Sequence, residues 1–320
     1  MSILVTGAAG FIGAEVARQL LASGETVVGI DSLNDYYDPA LKQFRLEQLD
    51  RSVHFTFEPI DLEDGAAVRA LFERNAFTTV INLAARGGVR YSMHNPLVYM
   101  RTNAEGVLHL LEAMRHTGVK KLVQASTSSL YAGLPMPFVE THPVNTPISP
   151  YAASKKAAEV LAYTYHTQFG IDVSILRYFT VYGRAARPDM SPYRFAKWIM
   201  EGTPIKLFGD GEQARDFTHV EDIARGTILA TKPLGYEIIN LGGGNQPVTI
   251  NEVIGWMEED LGQQARVNYL PAQSADMKVT WANIERAKSL LGWEPTISPR
   301  DGMRDMTADK ALFRFEISPH

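Results

Sequence analysis

A chain of 320 residues that is 45% hydrophobic can bury one large core or two modest ones. A formal charge of −5 argues against nucleic acid as a general partner, and no apolar run approaches the ~20 residues of a membrane span. With no cysteine there are no disulfides or thiolate metal sites, which fits a cytoplasmic enzyme, and the eight histidines show no H-E-x-x-H pairing.

The chain enters a strand directly at Ile3–Thr6, without the charged head of a signal peptide. Gly7-Ala8-Ala9-Gly10-Phe11-Ile12-Gly13 follows, between that strand and a helix predicted over Phe11–Ser23. Glycines there allow a tight turn and close approach to a pyrophosphate, and the helix N-terminus presents free N–H groups. The spacing is G-x-x-G-x-x-G. A second strand, Thr26–Asp31, ends on a carboxylate suited to both hydroxyls of an adenosine ribose, which favours NAD over NADP. A third strand, Val53–Glu58, precedes Asp61-Leu62, where Asp61 either flanks an adenine or caps the helix predicted over Glu63–Asn75.

Strands at Thr79–Leu83, Lys121–Ser126 and Asp172–Tyr178 alternate with helices at Leu97–Thr117 and Tyr151–Phe169. Alternation of this kind predicts an α/β fold, a Rossmann-type doubly wound parallel sheet. Beyond Tyr178 the pattern changes: Pro188, Pro192 and Pro204 punctuate it, and Gly209-Asp210-Gly211 and Gly242-Gly243-Gly244 mark turns. Helical patterns follow near Pro192–Glu201, Glu221–Ala230, Asn251–Leu261 and Ile284–Leu291. The expected division is a nucleotide-binding domain over 1–178, receiving a return crossing near 215–240, and a smaller C-terminal α/β substrate domain over 179–320. Residues 177–206 hold six basic and two acidic side chains, either a solvated basic surface or a pocket for a small polyanion.

Tyr151 and Lys155 share one helix face, so the ammonium can sit beside the phenol and favour phenolate. Such a tyrosine can take a proton from a sugar hydroxyl while a hydride leaves the same carbon. Chance supplies this spacing often, and Tyr193 with Lys197 repeats it. Context separates the two pairs. Ser126-Thr127-Ser128-Ser129 closes a predicted strand upstream of Tyr151, and sheet sites lie at the carboxyl ends of strands. Tyr193 has no such strand before it and reads as a structural helix face. His219-Val220-Glu221-Asp222 reads as packing by His219 and a helix cap at Glu221 or Asp222.

These residues resemble the extended, nucleotide-sugar branch of the short-chain dehydrogenase/reductase superfamily. The likeness covers nearly the whole chain: the glycine loop, Asn82-Leu83-Ala84-Ala85, Thr102-Asn103, the Thr127–Tyr151–Lys155 set, Arg177 through Gly183, and Arg215-Asp216-Phe217-Thr218. Within the branch it is similar to the UDP-glucuronate 4-epimerases at Leu33-Asn34-Asp35-Tyr36-Tyr37, at Gly88-Val89-Arg90-Tyr91-Ser92, and from Gly183 through Met190. The resemblance implies retained NAD, a UDP-sugar substrate and a homodimer. For the cofactor it implies contacts from the glycine loop, Asp31, Asn34, Asp61, Leu62, Leu83, Ala84, Ala85, Asn103, Tyr151, Lys155 and Tyr178. For catalysis it implies Tyr151 as the base at the 4′-hydroxyl, Lys155 as its tuner, and Thr127 as the bridging hydroxyl. For the substrate it implies Arg90, Ser128, Ser129, Thr180 near the uridine, Arg187 on the sugar carboxylate, Arg215 on the diphosphate, and Asp276 closing on the nucleotide.

Dehydratases and decarboxylases of this branch carry acids beside the catalytic threonine, where this chain has Ser128 and Ser129. Loss of those acids leaves elimination without its base and points to 4-epimerisation. A UDP-glucose-type epimerase, a UDP-glucuronate decarboxylase and a non-catalytic NAD-binding protein are the other readings. On a neutral hexose Arg187 would stand unpaired in a closed pocket, which favours a uronate.

Overall fold

The computed structural model describes residues 1–244, 247–271 and 278–317. Its first half alternates β1 (Ser2–Thr6), α1 (Phe11–Ala22), β2 (Val27–Ile30), α2 (Pro39–Leu49), β3 (Phe55–Glu58), α3 (Gly65–Arg74) and β4 (Phe77–Asn82). Next come α4 (Val89–His94), α5 (Pro96–Met100), a π-turn over Arg101–Glu105, α6 (Gly106–Thr117), β5 (Lys121–Thr127), α7 (Pro150–Phe169) and β6 (Asp172–Tyr178). The rest carries β7 (Thr180–Tyr182), α8 (Ser191–Glu201), β8 (Ile205–Phe208), β9 (Ala214–Arg215), β10 (Phe217–His219), α9 (Val220–Leu229) and β11 (Tyr236–Leu241). It ends with β12 (Val248–Thr249), α10 (Ile250–Leu261), β13 (Val267–Leu270), α11 (Glu285–Leu291) and α12 (Pro299–Ala308).

Seven strands pair in parallel in the order β11-β6-β5-β4-β1-β2-β3, a Rossmann order with β11 added beside β6. Successive side chains on a strand point to opposite faces. Ile3, Val5, Val27, Ile81, Val123 and Leu176 therefore pack with α1 and α9, while Leu4, Val28, Val80, Leu122 and Val173 pack with α3, α6 and α7. Three two-stranded pieces, β7–β10, β9–β12 and β8–β13, carry the later segments.

Several expectations change. The helix predicted over Leu97–Thr117 is broken by the π-turn, which re-registers Thr102 and Asn103. Thr102 then donates to Glu63 at 2.5 Å, and Asn103 binds the Arg86 backbone through both ends of its amide, at 2.8 and 3.0 Å. Asp61 does not cap α3: Asp64 does, accepting from Ala66 and Ala67. His219 caps α9 in place of Glu221 or Asp222, and Asp222 instead ties down Thr296 and Ile297 at 2.9 Å. Tyr193 donates to the Leu312 carbonyl at 2.7 Å and Lys197 to that of Phe313 at 3.0 Å, anchoring the C-terminal segment. Among the described residues no helix is long and apolar enough to cross a membrane.

Candidate active site

The carboxyl ends of β1 and β4 part at the point where strand order reverses, and Thr6 joins their loops. Its hydroxyl donates to Asn82 Oδ1 at 2.5 Å and accepts the Leu83 and Ala84 amides at 3.1 and 3.0 Å. Asn82 passes the chain on to Gln124 of β5 at 2.8 Å. Above this polar ladder lies a cavity of about 400 Å³. Gly7, Gly10, Phe11, Ile12, Gly13, Asp31, Asn34, Asp61, Leu62, Leu83, Ala84 and Ala85 line one end, and Thr127, Ser128, Ser129, Tyr151, Tyr178, Thr180 and Arg187 line the other.

The glycine loop is a cradle. No side chain caps α1, so its first N–H groups face the cavity end. A Cβ at Gly13 would fall on the carbonyl oxygen of Gly7, so the helix can start this close to the strand only with glycine there. At the end of β2, Asp31 accepts the Leu33 amide at 2.9 Å and meets Lys42 Nζ at 3.5 Å, both side chains being buried. Asp31 is thus both the turn former and the carboxylate that faces the cavity. A dinucleotide with its pyrophosphate on α1 and a ribose at Asp31 fits this donor and acceptor set.

Tyr151 is placed by local sequence. Ser149 caps α7 by accepting the Ala152 amide at 3.2 Å, and Pro150 occupies the first helical position, so Tyr151 lies in the first turn. Thr127, the last residue of fully buried β5, accepts the Ser129 amide at 3.1 Å and hydrogen-bonds the Tyr151 phenol. Burial raises the phenol above its ordinary value, opposed by Thr127 and by the Arg187 guanidinium. No hydrogen bond joins the Tyr151 and Lys155 side chains among the described residues, and the Arg187 guanidinium favours the phenolate. Lys155 is 3% exposed; burial draws its ammonium down to about 8 against the pull of Glu159.

Behind the wall, Glu159 holds Arg177 with two contacts at 2.9 and 2.8 Å and accepts from Ser126 at 2.7 Å, tying α7 to β5 and β6 next to Thr127. Arg187 forks Asp189 at 2.9 and 2.7 Å. The guanidinium is therefore paired whatever sugar arrives, which corrects the expectation that a neutral hexose leaves it alone.

Four assigned residues lie off the cavity. Asn103 braces the wall through Arg86 and Ser154, and Lys155 is buried. Arg90 stacks on Phe208 at 4.9 Å, and Arg215 Nη1 donates to the Ala214 carbonyl at 2.9 Å. Asp276 lies outside the described residues. Lys42, Arg86, Gly87, Tyr36 and Met190 line the cavity without having been assigned to it. Tyr36 and the Gly87-Gly88 doublet were signals in the sequence, whereas Lys42 reaches Asp31 only through the packing of α2.

Residues 3–242 match the model of the NAD dependent epimerase/dehydratase family. A UDP-glucuronate 4-epimerase of Thermodesulfobacterium geofontis is 57% identical over 301 residues, 94% of this chain and 93% of the relative. A crystal structure of UDP-glucuronic acid 4-epimerase from Bacillus cereus, in complex with UDP-glucuronic acid and NAD, superposes with a TM-score of 0.89. It is 37% identical and covers 96% of this chain and 98% of that one. The UDP-glucose 4-epimerase of Thermus thermophilus with NAD gives a TM-score of 0.87 at 32% identity, covering 98% of this chain and 99% of that one.

Proposed function

The chain belongs to the NAD dependent epimerase/dehydratase family, and on that premise we propose that it interconverts UDP-glucuronic and UDP-galacturonic acid by inversion at C4′. It is an NAD-dependent isomerase. Bound NAD supplies the acceptor for the C4′ hydride and then the donor that returns it. Tyr151 takes the O4′ proton and gives it back, with Thr127 holding the oxygen. Lys155 lies one turn behind. The transient 4-keto sugar turns over between the two transfers, so configuration inverts with no net redox change.

One observation carries the choice of epimerisation. Among the described residues lining the cavity, the carboxylates are Asp31 and Asp61, both at the cofactor end, while Ser128 and Ser129 flank Thr127. Among the described lining residues no acid stands by to remove a C5′ proton. A 4-keto uronate is a β-keto acid prone to lose CO₂, and Arg187 with Ser128 and Ser129 holds its carboxylate against that loss. Thr180 serves the uridine end and Arg215 the diphosphate. A division into residues 1–178 for the cofactor and 179–320 for the sugar nucleotide accompanies this reading.

A cytoplasmic homodimer is part of the proposal. α4 and α5 pack on α7 and leave apolar side chains bare, with Met93 62%, Leu97 68% and Val160 53% exposed. Light scattering should return twice the 35.5 kDa chain mass; a stable monomer would refute the dimer.

Incubating the enzyme separately with UDP-glucuronate and UDP-glucose, read by NMR, tests the substrate. UDP-galacturonate should form without CO₂, with the glucose nucleotide turned over more slowly. Equal or faster turnover of UDP-glucose would favour the neutral-sugar epimerase, and release of CO₂ a decarboxylase.

A further inference from the structure

Arg187 offers a guanidinium with five N–H donors in a rigid fork. Asp189 takes the side edge, with Nε to Oδ1 at 2.9 Å and Nη2 to Oδ2 at 2.7 Å. Nη1 has no hydrogen-bond partner among the described residues, and the end edge that it shares with Nη2 packs on the Gly87 backbone. Arg187 lines the cavity and Asp189 does not, so the carboxylate grips the fork from behind the wall.

Asp189 is itself held from the loop after β2, where the Tyr36 hydroxyl donates to its Oδ2 at 3.4 Å. Pro188 between the two partners keeps them on one short turn, which the Met190 amide closes on the Arg187 carbonyl at 3.1 Å. The front of the fork lies against Gly87, where a Cβ would overlap Nη1. Tyr99 pins that loop by donating to the Gly87 and Gly88 carbonyls at 2.9 Å each, and its ring meets that of Tyr151 edge-on at 6.1 Å. Backed by Asp189 and seated on Gly87, the guanidinium has one orientation, set beside the catalytic tyrosine.

We infer that Asp189 is a positioning residue for uronate selection, holding the side edge of Arg187 so that the guanidinium keeps one place on the cavity wall where the sugar carboxylate arrives. The inference rests on the reading that Arg187 takes that carboxylate. An arginine fixed before the substrate arrives loses less freedom on binding than a free one. Asp189 also lowers the net charge of the pocket, so the site selects a carboxylate by geometry more than by bulk attraction.

The test uses NAD-loaded enzyme, with KM and kcat for UDP-glucuronate and calorimetric Kd for UDP, which lacks the sugar. Asp189→Asn keeps the shape and removes the charge; Gly87→Ala displaces the fork without touching Asp189; Arg187→Gln tests the underlying reading. Asp189→Asn and Gly87→Ala should each raise KM about tenfold and leave the UDP Kd within about twofold. Should Asp189→Asn fail to fold, Gly87→Ala decides by the same criteria. An unchanged or lower KM in these variants, with Arg187→Gln impaired, would overturn the positioning role alone. Equal weakening of UDP and UDP-glucuronate would reduce Asp189 to a structural residue and overturn it too. An unimpaired Arg187→Gln enzyme would remove the reading on which it rests.

Discussion

Tyr151 illustrates how little one side chain does without its neighbours. Burial alone would keep its phenol protonated, and the groups opposing burial come from two separate elements, Thr127 at the end of β5 and Arg187 on the loop before α8, while the helix start set by Ser149 and Pro150 puts the tyrosine in place. The helix start was legible, because a serine before a proline is a local signal. The role of Arg187 at the phenol was not, since 35 residues of sequence lie between them. Tyr151→Phe should therefore retain NAD and fold normally while losing at least about 10²-fold in turnover, the usual worth of a positioned acid–base group. Turnover within about tenfold of the wild type in a purified NAD-loaded sample would reject Tyr151 as the base.

At the scale of elements, strands of the sheet were readable as short runs rich in apolar residues between turn signals, whereas α2 was not. Its inward face includes Lys42 and Arg45 beside Leu41, Leu46 and Leu49, which dilutes the apolar period. The π-turn before α6 was equally invisible, since its cause is the tertiary demand on Thr102 and Asn103. A pH effect belongs at this level. Asp216, between β9 and β10, is 2% exposed and accepts the Ala282 and Gly244 amides at 2.9 and 3.3 Å, joining three segments without a cation. Burial pushes it up to about 6. A raised carboxyl binds more protons folded than unfolded, so its contribution is full below about pH 4 and is lost as pH rises through about 6. Relative to Asp216→Asn, the wild type should lose roughly 2 kcal/mol of stability between pH 4 and 7 in urea unfolding. A pH-independent difference between the two proteins would contradict this.

At the scale of the whole molecule, the sheet brings the glycine loop, Asp31, Thr127 and Tyr151 to one edge, and the later segments add Thr180 and Arg187. Chain-order signals made the first set legible. Asp189 and Lys42 escaped because each acts through a partner that only folding supplies. The central claim is that C4′ is oxidised and reduced within one cavity, whose sugar end carries no carboxylate among the described lining residues to divert the ketone. Turnover of UDP-glucuronate carrying deuterium at C4′, followed by NMR in ordinary water, addresses it most directly. The account predicts UDP-galacturonate that keeps the deuterium at C4′, with no CO₂ and no label in solvent. Loss of the label to water, or a decarboxylated sugar as the main product, would contradict it.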